Sequence, residues 1–193
     1  MATSDITIVL ASRSPRRRQL VSELGFAMRC VDIDVDEVVP ADTAPHQIPL
    51  LLAKLKSAAY DKPLARGELL VTADTVVVHD GVVLGKPHTP EDAATMLRLL
   101  SGDRHSVFTG VCIRSAFREE SFVERTDVVF RSLDETTIRH YVDSGSCMDK
   151  AGAYGIQEWI GMVGVERIEG CYYNVVGLPV SHLYDLVVSN RWW

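Results

Sequence analysis

The chain has 193 residues, 47% hydrophobic and 24% charged, with 20 basic against 26 acidic side chains and a formal net charge of -6. That is enough chain for one globular domain, residues 1–193, burying roughly 70% of its surface. The acid excess argues against a non-specific binder of nucleic acid or anionic membrane. No stretch approaches the roughly 18 apolar residues of a membrane span. Met1 to Asp5 lacks a basic-then-apolar leader, so a cytoplasmic protein is expected. The four cysteines (Cys30, Cys112, Cys147, Cys171) show no Cys-x-x-Cys spacing and are expected to be reduced and mostly packed, with no zinc site.

Ile6 to Leu10 is apolar and β-branched, as a buried strand requires. Ser12-Arg13-Ser14-Pro15 then stops the strand and starts a helix, with Ser14 as N-cap and Pro15 as first helical residue. Arg16, Arg17 and Arg18 therefore fall in a first helical turn, where cations oppose the macrodipole by about 0.3–1 kcal/mol each. A strand-to-helix turn carrying serines, free amides and arginines suits phosphate. A solvated basic turn or a nucleic-acid signal is the competing reading. The helix is expected to reach Leu24, with Gly25 as its cap. Phe26 to Val35 predicts a strand, Asp32, Asp34 and Asp36 sharing one face as a charged edge.

Ile48, Leu51, Leu52 and Leu55 recur at helical spacing, with Ala58 and Ala59 continuing the apolar stripe and Lys54 and Lys56 flanking it. Leu69 to Val78 reads as a strand broken by Thr72-Ala73-Asp74-Thr75. Asp74 is costly there unless it is paired, metal-bound or partly solvated. His79-Asp80-Gly81 turns the chain into a hairpin, followed by Gly85-Lys86-Pro87. Pro90 to Leu100 predicts a helix, 105–114 and 121–131 two strands, and Asp134 to Val142 a short helix. Lys150 to Gln157 is rich in small residues, as where backbone approaches a ligand. A hairpin is expected over 163–168 and 171–176, then a helix after Pro179. Strands and helices alternate with hairpins between them, which predicts a mixed α/β sheet.

In chain order, Leu10-Ala-Ser-x-Ser-Pro-Arg-Arg17, Asp36-Glu37, Leu-Ala-x-x-Lys56, Ala73-Asp74-Thr75-Val76-Val77, Gly85-Lys86-Pro87, Thr109-Gly110-Val111, Asp149 to Gln157 and Asn174 to Pro179 resemble the Maf family of nucleotide pyrophosphatases. The resemblance covers nearly the whole chain. It implies an α/β fold of the Maf/inosine triphosphatase kind, an elongated mixed β-sheet in two lobes flanked by helices, with an active cleft between the lobes. It also implies hydrolysis of a nucleoside triphosphate to monophosphate and pyrophosphate with a divalent cation, Mg²⁺ or Mn²⁺. Ser-Pro-Arg-Arg, Ala-Asp-Thr and Gly-Ile-Gln resemble the subgroup acting on dTTP and UTP, in a house-cleaning role. A nucleotide-binding regulator of cell division with vestigial hydrolysis is the alternative.

Carried onto this chain, the resemblance gives Asp74 as proton acceptor and Glu37 as its acidic partner, both holding the metal. It gives Arg17, Lys56 and Lys86 to the triphosphate and Arg16, Thr75 and Gln157 to specificity, and Ser12 is expected with them in the substrate-binding cleft. A nucleoside triphosphate substrate is expected, with no nucleic-acid or membrane partner and a possible homodimer. Two departures stand out. Gly145-Ser146-Cys147-Met148 replaces the family's Gly-Glu-Pro, and Glu158-Trp159 replaces the small residues that usually follow the glutamine.

Overall fold

Three local signals decide where the elements begin and end: proline at first helical positions, hydroxyl or carboxylate caps, and glycine at positive φ. In the computed structural model, which describes residues 5–190 and 192, they give seven strands and seven α-helices among the described residues. Strand β1 (Thr7–Ala11) leads into α1 (Pro15–Glu23), whose cap Ser14 accepts the Arg17 N–H. Gly25, at φ +79°, turns the chain into β2 (Ala27–Val31). There follow α2 (Ile48–Ala59), β3 (Glu68–His79), β4 (Val82–Leu84) and α3 (Pro90–Leu100). In α3 the Thr89 hydroxyl and the Asp92 carboxylate cap each other's backbone amides. Then come β5 (Arg104–Arg114), β6 (Glu119–Phe130), α4 (Glu135–Asp143), α5 (Trp159–Gly164), β7 (Val165–Glu169), α6 (Tyr172–Val176) and α7 (Val180–Ser189).

The strands join one sheet in the order β2-β1-β3-β5-β6-β7, with β4 paired to β3. β1 is parallel to both β2 and β3, whereas β4 and β7 are antiparallel to β3 and β6. The sheet is therefore mixed, as expected. β3 and β4 form a two-residue hairpin through Asp80 and Gly81, both at positive φ, as a tight primed turn demands.

The chain divides into two compact units. The first holds residues 1–74, 109–124 and 177–193, the second 75–108 and 125–176. In the first, Val9, Ala11, Tyr60 and Leu70 form a core against which Val31, Ile33 and Leu64 pack. Gly110 lets β5 pass against α2: a Cβ there would sit 2.3 Å from the Leu50 amide nitrogen, so no other residue fits. In the second unit α3 (Ala93, Ala94, Leu97, Leu100), α4 (Ile138, Tyr141, Val142), Val107, Val128 and Phe130 close around Tyr154, Ile156 and Ile160. Among the described residues no helix is long and apolar enough to cross a membrane. All four cysteines are free thiols, Cys112 and Cys147 buried, Cys171 half-buried and Cys30 exposed.

Three local expectations are corrected. β2 ends at Val31, so Asp32, Asp34 and Asp36 lie on irregular chain rather than on a strand face, although Val31 and Ile33 still point to the core. Ala58 and Ala59 are exposed, because α2 buries Pro49, Leu52, Ala53 and Ser57 instead. The second arm of the hairpin expected after Val163 is helix α6. Its Asn174 is fully buried and donates to Val107 O (3.1 Å) and Thr126 Oγ1 (3.0 Å), a tertiary demand that overrides the strand propensity of Tyr-Tyr-x-Val-Val.

Candidate active site

The strand-to-helix turn after β1 is built from its own serines. Ser14 donates its N–H to Ser12 Oγ (3.2 Å), and Ser14 Oγ accepts from the Arg17 N–H (3.4 Å). The arginines then part company. Arg18 donates to the Ser12 carbonyl (3.0 Å) and, with Arg13, faces the exposed Asp32 carboxylate. Arg17 turns inward, its Nε donating to Gly177 O (2.8 Å) and a terminal nitrogen to Ala73 O (2.9 Å). Burial lowers its pKa from the ordinary guanidinium value, and neighbouring Asp74 opposes that shift. Arg17 is thus pinned by backbone carbonyls beside the carboxylate that breaks the apolar run of β3.

Lys56, in the last turn of α2, joins two distant carboxylates. Its Nζ lies 2.6 Å from Asp74 Oδ1 and 2.9 Å from Glu37 Oε1. The Lys56 and Asp74 side chains are only 17% and 18% exposed, whereas Glu37 is 48% exposed on the loop after β2. Asp74 is therefore paired and partly solvated, which resolves the cost its position in the strand implies. Ser12, Arg16, Arg17, Glu37, Lys56 and Asp74 all belong to the first unit.

Thr75, Lys86 and Gln157 belong to the second unit. Thr75 is half-buried in β3. Lys86 is exposed just after β4, on a segment whose Gly85 carbonyl accepts the Gly152 N–H (3.0 Å), so that it runs beside the small-residue stretch 150–157. Gln157 is exposed at the end of that stretch, in a turn closed by the Glu158 N–H donating to Gly155 O (3.0 Å).

Sequence reasoning missed what stands behind this turn. Lys150, 8% exposed at its side chain, pairs with Glu158 Oε1 (2.8 Å) and Asp149 Oδ1 (2.5 Å) and donates to Ser146 O. The Tyr141 hydroxyl donates to Glu158 Oε2 and accepts the Gly155 N–H at 3.1 Å. Burial, followed by the Glu158 carboxylate, pushes the Tyr141 phenol well above its ordinary range. In the sequence the only signal was the bulky Glu158 where small residues are usual, and nothing local pairs it with Lys150 or Tyr141.

The arrangement in the first unit sets two carboxylates on one cation, near the Arg17 guanidinium. An oxygen-only donor pair of that kind suits a hard divalent ion. A separate group of three, His79, Asp80 and Asp103, offers ligand atoms all within 4.8 Å of one another, at the β3–β4 turn. None of the residues expected at the site belongs to it.

Two carboxylates gathered with lysine and arginine cations on a mixed α/β sheet fit a nucleotide-handling class of protein. The Maf-like protein family matches residues 7–189, and the chain belongs to that family. A dTTP/UTP pyrophosphatase of Bacteroides thetaiotaomicron is 52% identical over 179 residues, 92% of each chain. The dTTP/UTP pyrophosphatase of Porphyromonas gingivalis strain ATCC 33277 is 46% identical over 182 residues, 92% of this chain and 91% of the other. Among solved structures, a nucleoside-triphosphatase / dITP/XTP pyrophosphatase from Mycobacterium abscessus aligns with a TM-score of 0.40 at 15% identity, over 66% of this chain and 76% of that one.

Proposed function

We propose that this protein is a nucleoside triphosphate pyrophosphatase that converts dTTP- and UTP-type pyrimidine nucleotides to the monophosphate and pyrophosphate. Relatives about half identical over nine-tenths of the chain carry that name, and the arrangement of Glu37 and Asp74 around one cation is the observation that supports it. Glu37 and Asp74 would hold a divalent metal, Mg²⁺ or Mn²⁺, whose chemistry there is to acidify a water molecule and offset phosphate charge. The pair fits such an ion because the Lys56 ammonium, itself a cation, already sits within contact of both carboxylates.

Asp74 accepts the proton of the attacking water. Lys56, Arg17 and Lys86 would balance the charge of the phosphates, Lys56 being available to them when the carboxylates hold the metal. Ser12 adds a hydroxyl donor. Arg16, Thr75 and Gln157 set specificity, the amide of Gln157 offering both a donor and an acceptor to a pyrimidine edge.

Incubating the purified chain with dTTP, UTP, CTP and ATP in Mg²⁺ or Mn²⁺ tests the proposal. Release of pyrophosphate and monophosphate in equal amounts from dTTP and UTP is expected, with the purine nucleotide slower. Nucleotide binding without pyrophosphate release would overturn the enzymatic reading in favour of a regulator.

A further inference from the structure

We propose that Glu158 is a positioning residue for Gln157, fixing the amide that reads the base through a buried clamp with Lys150 and Tyr141. The inference rests on the base-reading role of Gln157 given above. Its ground is the crowding around Gly155. A Cβ on that glycine would meet Lys150 Cε at 2.8 Å, Gln157 Nε2 at 2.9 Å and Glu158 Cδ at 2.9 Å. Three side-chain ends, one of them the Gln157 amide, thus converge on the bare face of a single glycine.

Gln157 is exposed and its own backbone turn is short, so its rotamer freedom must be limited from outside. Glu158 does this with both of its carboxylate oxygens. One takes the ammonium of Lys150 and the other the hydroxyl of Tyr141, which is 2% exposed and also accepts the Gly155 N–H. The clamp therefore grips the turn from its two ends, at Gly155 and at Glu158, with Gln157 between them. Lys150 is in turn held by Ser146 O and Asp149, so the wall behind the amide is ionic and fully hydrogen-bonded rather than compliant. The carboxylate next in sequence to the reading amide is 25% exposed and commits both of its oxygens to Lys150 and Tyr141.

The test compares Glu158→Gln, Gln157→Ala and the double variant, measuring kcat and KM for UTP, dTTP, CTP and ATP together with the melting temperature of each. Glu158→Gln keeps the size of the side chain and its acceptor oxygen but loses the charge that pairs Lys150. It is expected to lower the UTP:ATP ratio of kcat/KM about tenfold, mainly through KM for UTP. The double variant should lose no more discrimination than Gln157→Ala alone. Should Glu158→Gln not fold, the charge-free pair Lys150→Met with Glu158→Leu removes both ions at once and is read the same way. An equal fall for every nucleotide, or unchanged discrimination in a variant that folds, overturns the clamp as a positioning device. If Gln157→Ala itself leaves discrimination intact, it is the base-reading role of Gln157 that fails, and the two failures are told apart.

Discussion

Lys56→Met isolates the two carboxylates from the cation they share. Both oxygens lie within contact of one nitrogen, at 2.6 and 2.9 Å, so their own separation is capped at about 5.5 Å. Two unit charges at that distance repel by about 3 kcal/mol at the effective dielectric of a protein surface. Glu37 is 48% exposed, so solvent screening reduces the figure to about 1–3 kcal/mol. For a chain of this size each kcal/mol moves the melting temperature by about 2–4 °C. The variant is therefore expected to melt several degrees below the unaltered protein in metal-free buffer. Adding Mg²⁺ or Mn²⁺ should raise its melting temperature more than that of the unaltered protein, since the ion no longer competes with an ammonium for the same oxygens. Differential scanning fluorimetry across a metal titration measures both effects without relying on turnover. Equal metal responses in the two proteins would refute Glu37 and Asp74 as the metal's ligands.

Asp74→Asn should reduce pyrophosphate release by about 10²–10⁴ or more while nucleotide binding, measured by calorimetry, persists through the arginines and lysines. Its fold should survive, because Lys56 keeps Glu37 as partner. The protein should also lose stability in mild acid through His105, which is 2% exposed against Tyr154 and Phe130. Burial, aided by His79 and opposed by Asp103 and Asp127, lowers its pKa to about 4, so the unfolded chain takes up a proton that the folded chain refuses. Stability therefore falls as pH drops from about 6.5 to about 4, by up to about 3 kcal/mol, and this contribution is constant outside that window. Urea midpoints at pH 7 and pH 4.5 should differ less in His105→Phe than in the unaltered protein.

Local chemistry made most of the elements legible. Ser14-Pro15 and Thr89-Pro90 announce their helices because caps and helical prolines act within one turn, and both helices begin where those residues place them. Asp80-Gly81 announces its hairpin for the same reason. The failures come where a distant partner decides. Residues 172–176 have strand-forming side chains but are helical, because buried Asn174 reaches Val107 and Thr126. The arginines of 16–18 read as one cluster, yet Asp32 claims Arg18 while Ala73 and Gly177 claim Arg17. Asp74 was legible as a carboxylate needing a partner. That its partner is Lys56, with Glu37 on the same nitrogen, was not, since neither strand nor helix periodicity says where a lysine tip ends.

The position of Lys56 bears on how charge is balanced at the proposed metal site. Glu37 and Asp74 bring two negative charges, and Lys56 and Arg17 bring two positive ones, so the group is balanced as it stands. A nucleoside triphosphate adds several negative charges, which Lys56 cannot offset while it serves the carboxylates. If Glu37 and Asp74 hold a divalent ion as proposed, Lys56 would be free to face phosphate, and metal and nucleotide are expected to bind cooperatively. Linkage makes that coupling reciprocal: if Mg²⁺ tightens UTP by some factor, UTP tightens Mg²⁺ by the same factor. Lys56→Met removes the group that the two ligands exchange, so the coupling should shrink in that variant even though each ligand still binds. Isothermal titration of Asp74-intact Lys56→Met with UTP, at zero and saturating Mg²⁺, reads the factor directly. A coupling as large as in the unaltered protein would mean that Lys56 is only a structural counter-ion and never leaves the carboxylates.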